Sequence, residues 1–172
     1  TMETLKNMQL MFGEALGKKL FVLEPKILRL QHDWQVYRSL FGANENRWEF
    51  LHKAGGAATI SIESALWDAV ILSLCRLTDL KSSRGSERVT LHQLSPKYVS
   101  YKDPNCGRAV RKAIKEAVDA VKPIREIRDQ RIGHLNLDVA LGGKFVNKVS
   151  RAQIEEAVGT IVRPIKLIHT IE

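Results

Sequence analysis

The chain has 172 residues, enough for one domain with a real core and too few for two comfortable ones. Its 27 Lys and Arg against 19 Asp and Glu leave a formal charge of +8 and a pI near 9.7, which favours an anionic partner such as nucleic acid but also serves solubility. Two cysteines without metal-like spacing exclude a disulfide framework and a zinc site, no apolar run approaches the ~20 residues of a spanning helix, and no signal-peptide pattern is evident, so a cytoplasmic protein away from membranes is expected.

Leu5, Met8, Phe12, Leu16, Leu20 and Leu23 fall at helical spacing and predict a first helix over about residues 3–23. Gly13 and Gly17 cost it ~1 kcal/mol each relative to Ala, unless they permit a close helix contact. Pro25 marks a break or a new first turn. Beyond it Ile27, Leu30, Trp34, Tyr37 and Phe41 form an amphipathic second helix that ends at Gly42, with the aromatics as core. Asn44 then caps a third segment through Trp48 and Leu51, loosened or bent at Gly55 and Gly56.

From Ala57 to Leu80 both faces are apolar. Ile62, Leu66, Ala69, Ser73 and Leu77 line one, and Ile60, Trp67, Ile71 and Leu74 the other, which predicts a helix in the middle of a bundle. Near its end Arg76 and Asp79 are expected to pair locally or with a neighbouring helix. Lys81 to Glu87 reads as a polar, mobile loop. Thr90 and Gln93 have capping-box spacing and predict a short helical turn.

Asp103 and Pro104 open a long helix as cap and first-turn residue. Its apolar stripe runs through Val110, Ile114, Ala117, Val121 and Ile124. The next step of four lands on Arg128, where the pattern asks for another core residue. Pro123 removes a backbone hydrogen bond and is expected to kink the helix one turn before Arg128. His134 follows just after Gly133. Leu135 to Val149 reads as a small hairpin or a loop. Ser150 and Gln153 make a second capping box, opening a last helix with the stripe Ile154, Val158, Ile161, Ile165 and Ile168 and a kink at Pro164. The expectation is one domain over residues 1–172: an all-α, up-and-down bundle of about five helices, with the kinked long helix carrying the Arg-x5-His pattern.

An inward guanidinium followed by an imidazole at a helix end suits phosphate chemistry. Arginine stays charged and offers a planar donor fork, while histidine, with a pKa near ~6.5, exchanges a proton at working pH. Six residues of ideal helix turn ~600°, leaving the two side chains ~120° apart, so His134 must swing round after the helix ends. The plainer alternative is that Arg128 snorkels or pairs with Asp79, Asp68 or Glu126, while His134 only caps the helix. Arg125, Asp129 and Arg131 flank the motif as candidates for holding substrate, against the alternative of ordinary solvated side chains. Lys112, Lys115 and Lys122 read as solvent-facing. His32, His52, His92 and His169 lack metal-ligand spacing, and neither metal nor cofactor is expected.

The run Arg128 to His134 resembles the Arg-x(4–6)-His motif of the HEPN superfamily, and as a whole it resembles the abortive-infection-related branch. Ala65 to Asp68 leading to Cys75 to Asp79, Val89 to Leu94, and Tyr37 to Gly42 resemble further stretches of that branch, in the same order. The resemblance covers roughly residues 30–170 of the sequence. It departs at Gly133, where a small Ala is usual, and at Asn136, where an acid is frequent; the next acid is Asp138. The resemblance implies an all-α homodimer that places two motifs in one cleft. It also implies a metal-independent endoribonuclease, a toxin or phage-defence protein with a cognate antitoxin, using His134 as acid/base and Arg128 to stabilise the phosphorane. Other members keep the bundle only to bind RNA, nucleotides or a toxin–antitoxin partner, which is the non-catalytic alternative.

Overall fold

The computed structural model describes residues 1–42, 45–83, 85–99, 101–132 and 148–171. Among them five α-helices form an all-α bundle: α1 (Met2–Phe12), α2 (Glu14–Tyr37), α3 (Glu45–Thr78), α4 (Pro104–Ile127) and α5 (Arg151–Ile171). α4 packs most extensively against α5, and α1 against α2. Trp34 with Glu155, and Glu24 with His169, are hydrogen-bonded pairs that run in opposite order along α2 and α5, so those two helices are antiparallel. The core fills with Leu20, Leu23, Leu30, Leu74, Ile124, Ile154, Ile161 and Ile168, all fully buried.

The expected first helix breaks at Gly13, and Pro25 breaks nothing. Gly13 adopts φ 81, ψ 160, a conformation that costs glycine little and other residues much. α1 then lies back across α2, and Gly17 makes the crossing possible. A Cβ on Gly17 would stand 2.6 Å from the Met8 carbonyl oxygen and 2.7 Å from Gln9 Cα. Pro25 sits inside α2 on its exposed side, where water can serve the carbonyl that loses its helical partner. Gly17→Ala is expected to push α1 off its seat and cost about 1–3 kcal/mol by overpacking, although alanine is the better helix former. A thermal melt that rises instead would show that the crossing has slack.

α3 also departs from expectation. Its residues Asn46–Thr78 are long and apolar enough, by length and composition alone, to cross a membrane. Yet Gly56 takes φ 49, ψ −130 and folds the helix back on itself. Trp48 Nε1 reaches Glu63 Oε2 at 3.3 Å and Thr59 Oγ1 donates to the Leu51 carbonyl at 2.9 Å. Fifteen residues of straight helix would separate Trp48 from Glu63 by roughly 22 Å. The bend expected at the glycine pair is therefore a reversal. It leaves Ile60 and Ile62 more than half exposed, so only the stretch from Val70 onward occupies the bundle centre.

Other local signals behave individually. Asp103 caps α4 through Asn105 and Cys106 backbone N–H groups, and Ser150 and Gln153 form their reciprocal capping box. Thr90 precedes a 3₁₀ turn, Leu91–Leu94, but makes no side-chain cap. Gln93 instead accepts from Lys19 and donates to the Arg88 carbonyl. The polar stretch after α3 holds a minimal antiparallel ribbon, β1 (Ser82–Ser83) with β2 (Ser86–Glu87), instead of a plain loop. Asn44 and the stretch expected to be a hairpin or loop lie outside the described residues, apart from its final Lys148 and Val149.

Candidate functional site

α4 delivers Arg128 where its stripe places it, one step of four beyond the fully buried Ile124. Pro123 stays within the helix, which continues to Ile127. From Arg128 to Ile132 the backbone widens into a π-helical turn, a rare geometry that concentrates at functional sites. The ideal-helix angle between Arg128 and residue 134 therefore does not apply.

Asp79, the first residue past α3, is the hub. Its carboxylate accepts from Arg125 through Oδ1, accepts from Arg88 Nη1 through Oδ2 at 3.3 Å, and lies 3.9 Å from Arg128 Nη1. Arg125 also donates to Thr78 Oγ1 at 2.9 Å and to the Cys75 carbonyl at 3.4 Å. Charge-assisted bonds of this kind contribute about 1.5–3 kcal/mol each where water is scarce. Arg125 is thus tied across to the last turn of α3, where cations also meet favourable carbonyl dipoles.

Arg128 is held differently. Its Nε lies 2.5 Å from Asp129 Oδ1, close enough for ion pairing but out of line for a hydrogen bond, so this buried nitrogen lacks a hydrogen-bond partner. Gln130 Oε1, in the same π turn, is likewise buried without a partner. Orphaned polar atoms of this kind are uncommon in settled cores and call for an explanation. Asp68, one of the expected partners of Arg128, makes no such pair: burial alone raises its pKa. Cys75 is packing. Burial pushes its thiol up to about 11, against the pull of the Arg125 and Arg128 guanidiniums, so it is not a thiolate nucleophile near neutral pH.

Of the residues singled out in the sequence, Arg125, Arg128 and Asp129 gather around or beside Asp79. His134, Gly133, Asn136 and Asp138 lie outside the described residues, as does the side chain of Arg131. The sequence reading missed Arg88 and Thr78. The signal for Thr78 was available, since it adjoins Asp79 at the end of an apolar helix; nothing in the spacing of Arg88 pointed to Asp79. Among the described residues no three His, Cys, Asp or Glu side chains gather as a metal site would require.

A family model for AbiU2, of HEPN type, matches residues 14–171. The chain belongs to this family. Membership joins it to an HEPN-type, abortive-infection-related group, as the residue motifs implied. The match takes in α2 to α5 and leaves α1 outside, so the helix seated on Gly17 precedes the matched region. No curated protein and no solved structure matches the chain significantly.

Proposed function

We propose that the protein is a metal-independent endoribonuclease of HEPN type, a cytoplasmic toxin or phage-defence protein that cleaves RNA in a cleft shared by two copies. The observation that supports this best is Arg128, a guanidinium on a core stripe, opening a π turn, with a buried nitrogen left without a hydrogen-bond partner. In this reading its outward Nη groups neutralise the phosphate as the phosphorane forms. A base takes the 2′-hydroxyl proton, the 2′-oxygen attacks phosphorus, and an acid protonates the departing 5′-oxygen. His134 supplies one of these functions and the second copy's equivalent the other. Arg125, anchored by three acceptors, fixes the position of Asp79 and so of Arg128. A cognate antitoxin would act by covering the cleft.

The deciding experiment is cleavage of a mixed RNA substrate by the purified protein in excess chelator, beside Arg128→Ala. Cleavage that survives chelation and falls at least ~10²-fold in the variant, the loss typical of a removed transition-state donor, is expected. Cleavage abolished by the chelator, or untouched by the substitution, would exclude the reading.

One observation favours a second reading, a non-catalytic module that binds RNA, a nucleotide or a protein partner. Arg128 already stands between two carboxylates, Asp79 and Asp129. An arginine serving only to hold helices together would look the same, and such a protein would bind RNA, if at all, without cutting it.

A further inference from the structure

We propose that Arg88 is a substrate-binding residue of the same site, carrying an RNA phosphate next to the scissile one. This rests on the RNA reading above. Three guanidiniums approach Asp79, and they differ in how firmly they are held. Arg125, 27% exposed, has three acceptors. Arg128, 23% exposed, is flanked by two carboxylates. Arg88, 45% exposed, makes a single 3.3 Å bond to a carboxylate oxygen. An exposed ion pair of that length is worth little, so an incoming phosphate can take the guanidinium without disturbing the fold.

The backbone beneath Arg88 is fixed, which spares the ordering cost of recruiting it. Its N–H donates to the Lys81 carbonyl at 2.6 Å, closing the base of the small ribbon. Its carbonyl accepts from Gln93, which Lys19 anchors at 2.8 Å. On the other side of the ribbon Lys81 Nζ lies 3.5 Å from the centre of the Tyr98 ring. Only the side chain is left to move. The charges point the same way. Asp79 and Asp129 provide two negative charges against three arginines, and Asp129 is more than half exposed and so well screened. The cluster carries an excess cation that an anion completes, and Arg88 is its most accessible member. A phosphodiester fits because Arg88 and Arg128 approach one carboxylate oxygen, Asp79 Oδ2, from different elements. A backbone crossing the site meets both.

The test uses a fluorescein-labelled single-stranded RNA, made uncleavable by 2′-O-methyl groups, and measures its binding by anisotropy across a salt series. Losing one phosphate contact flattens the slope of log affinity against log salt by ~0.7, which near 0.1 M salt is roughly fivefold weaker binding. Arg88→Ala is expected to show both effects, and Arg88→Lys to retain the slope. Arg108→Ala is the control. That exposed arginine begins α4, bonded to Asn105, and twenty residues of helix place it roughly 30 Å from Arg128. If Arg88→Ala binds with the wild-type slope while Arg128→Ala does not, the assignment fails and the nuclease reading stands. A lower melting temperature with an unchanged slope also overturns it, since that marks a purely structural ion pair. If the wild-type chain binds no RNA even at low salt, both readings fall together.

Discussion

Replacing His134 by alanine is expected to slow RNA cleavage by about 10²–10⁴-fold, the usual contribution of one acid/base group, equivalent to ~2.7–5.5 kcal/mol of barrier. The melting temperature should hardly change. His134 follows a glycine at the end of the motif and is not part of any apolar stripe. Its role in the proposal is to move a proton, which alanine cannot do, while Arg128 continues to neutralise phosphate. Binding of an uncleavable RNA should therefore survive the substitution. Single-turnover kinetics beside a binding titration would separate the two. If the variant cleaves at the wild-type rate, the acid and base lie elsewhere and the Arg-x5-His pattern is not the active centre.

Asp79→Ala should have the largest effect on stability of any single change at the site, about 2–3 kcal/mol. Breaking a fully buried ion pair costs about 3–5 kcal/mol because the surviving charge is stranded. Here Asp79 keeps 16% of its surface and Arg125 keeps 27%, so water recovers part of that loss. For a chain of this size the melting temperature should drop by roughly 4–10 °C. Without the carboxylate, Arg88, Arg125 and Arg128 face one another uncompensated, and Arg128 loses the group that aims it. Cleavage should fall with stability. Asp79→Asn keeps an acceptor for Arg125 but not the charge and should lie between alanine and wild type. A circular-dichroism melt of Asp79→Ala that overlays the wild type would show that the arginines are held by something else.

The elements most legible in the sequence were those with one apolar face. The stripes of α4 and α5 and the later part of α2 packed as their spacing predicted, as did the caps at Asp103 and at Ser150. Arg128 could be placed on the inward side because a stripe of five apolar residues left only that direction open to it. Two reversals escaped the reading for a shared reason. Gly13 and Gly56 sit within runs whose periodicity continues across them, so the pattern reports a helix while the backbone turns back. Proline misled in the other direction, since Pro25 lies inside α2 on a side open to solvent. The apolar flanks of Ile60 and Ile62 promised burial, but hydrophobicity does not say whether a partner element is within reach. Within the site, the motif arginines and the acid that joins them were readable, whereas Arg88 was not. Its link to Asp79 depends on a two-residue ribbon whose formation no periodicity signals.

The widened turn that begins at Arg128 makes the count of residues there matter as much as their identity. Removing a single amino acid between positions 128 and 132 would let the backbone relax to ordinary α-helical winding. Every later atom would then leave the helix about 100° further round its axis. Such a shortened protein could keep each chemically active group and still present them to different partners. Point substitutions in this turn should accordingly be milder than a one-residue deletion.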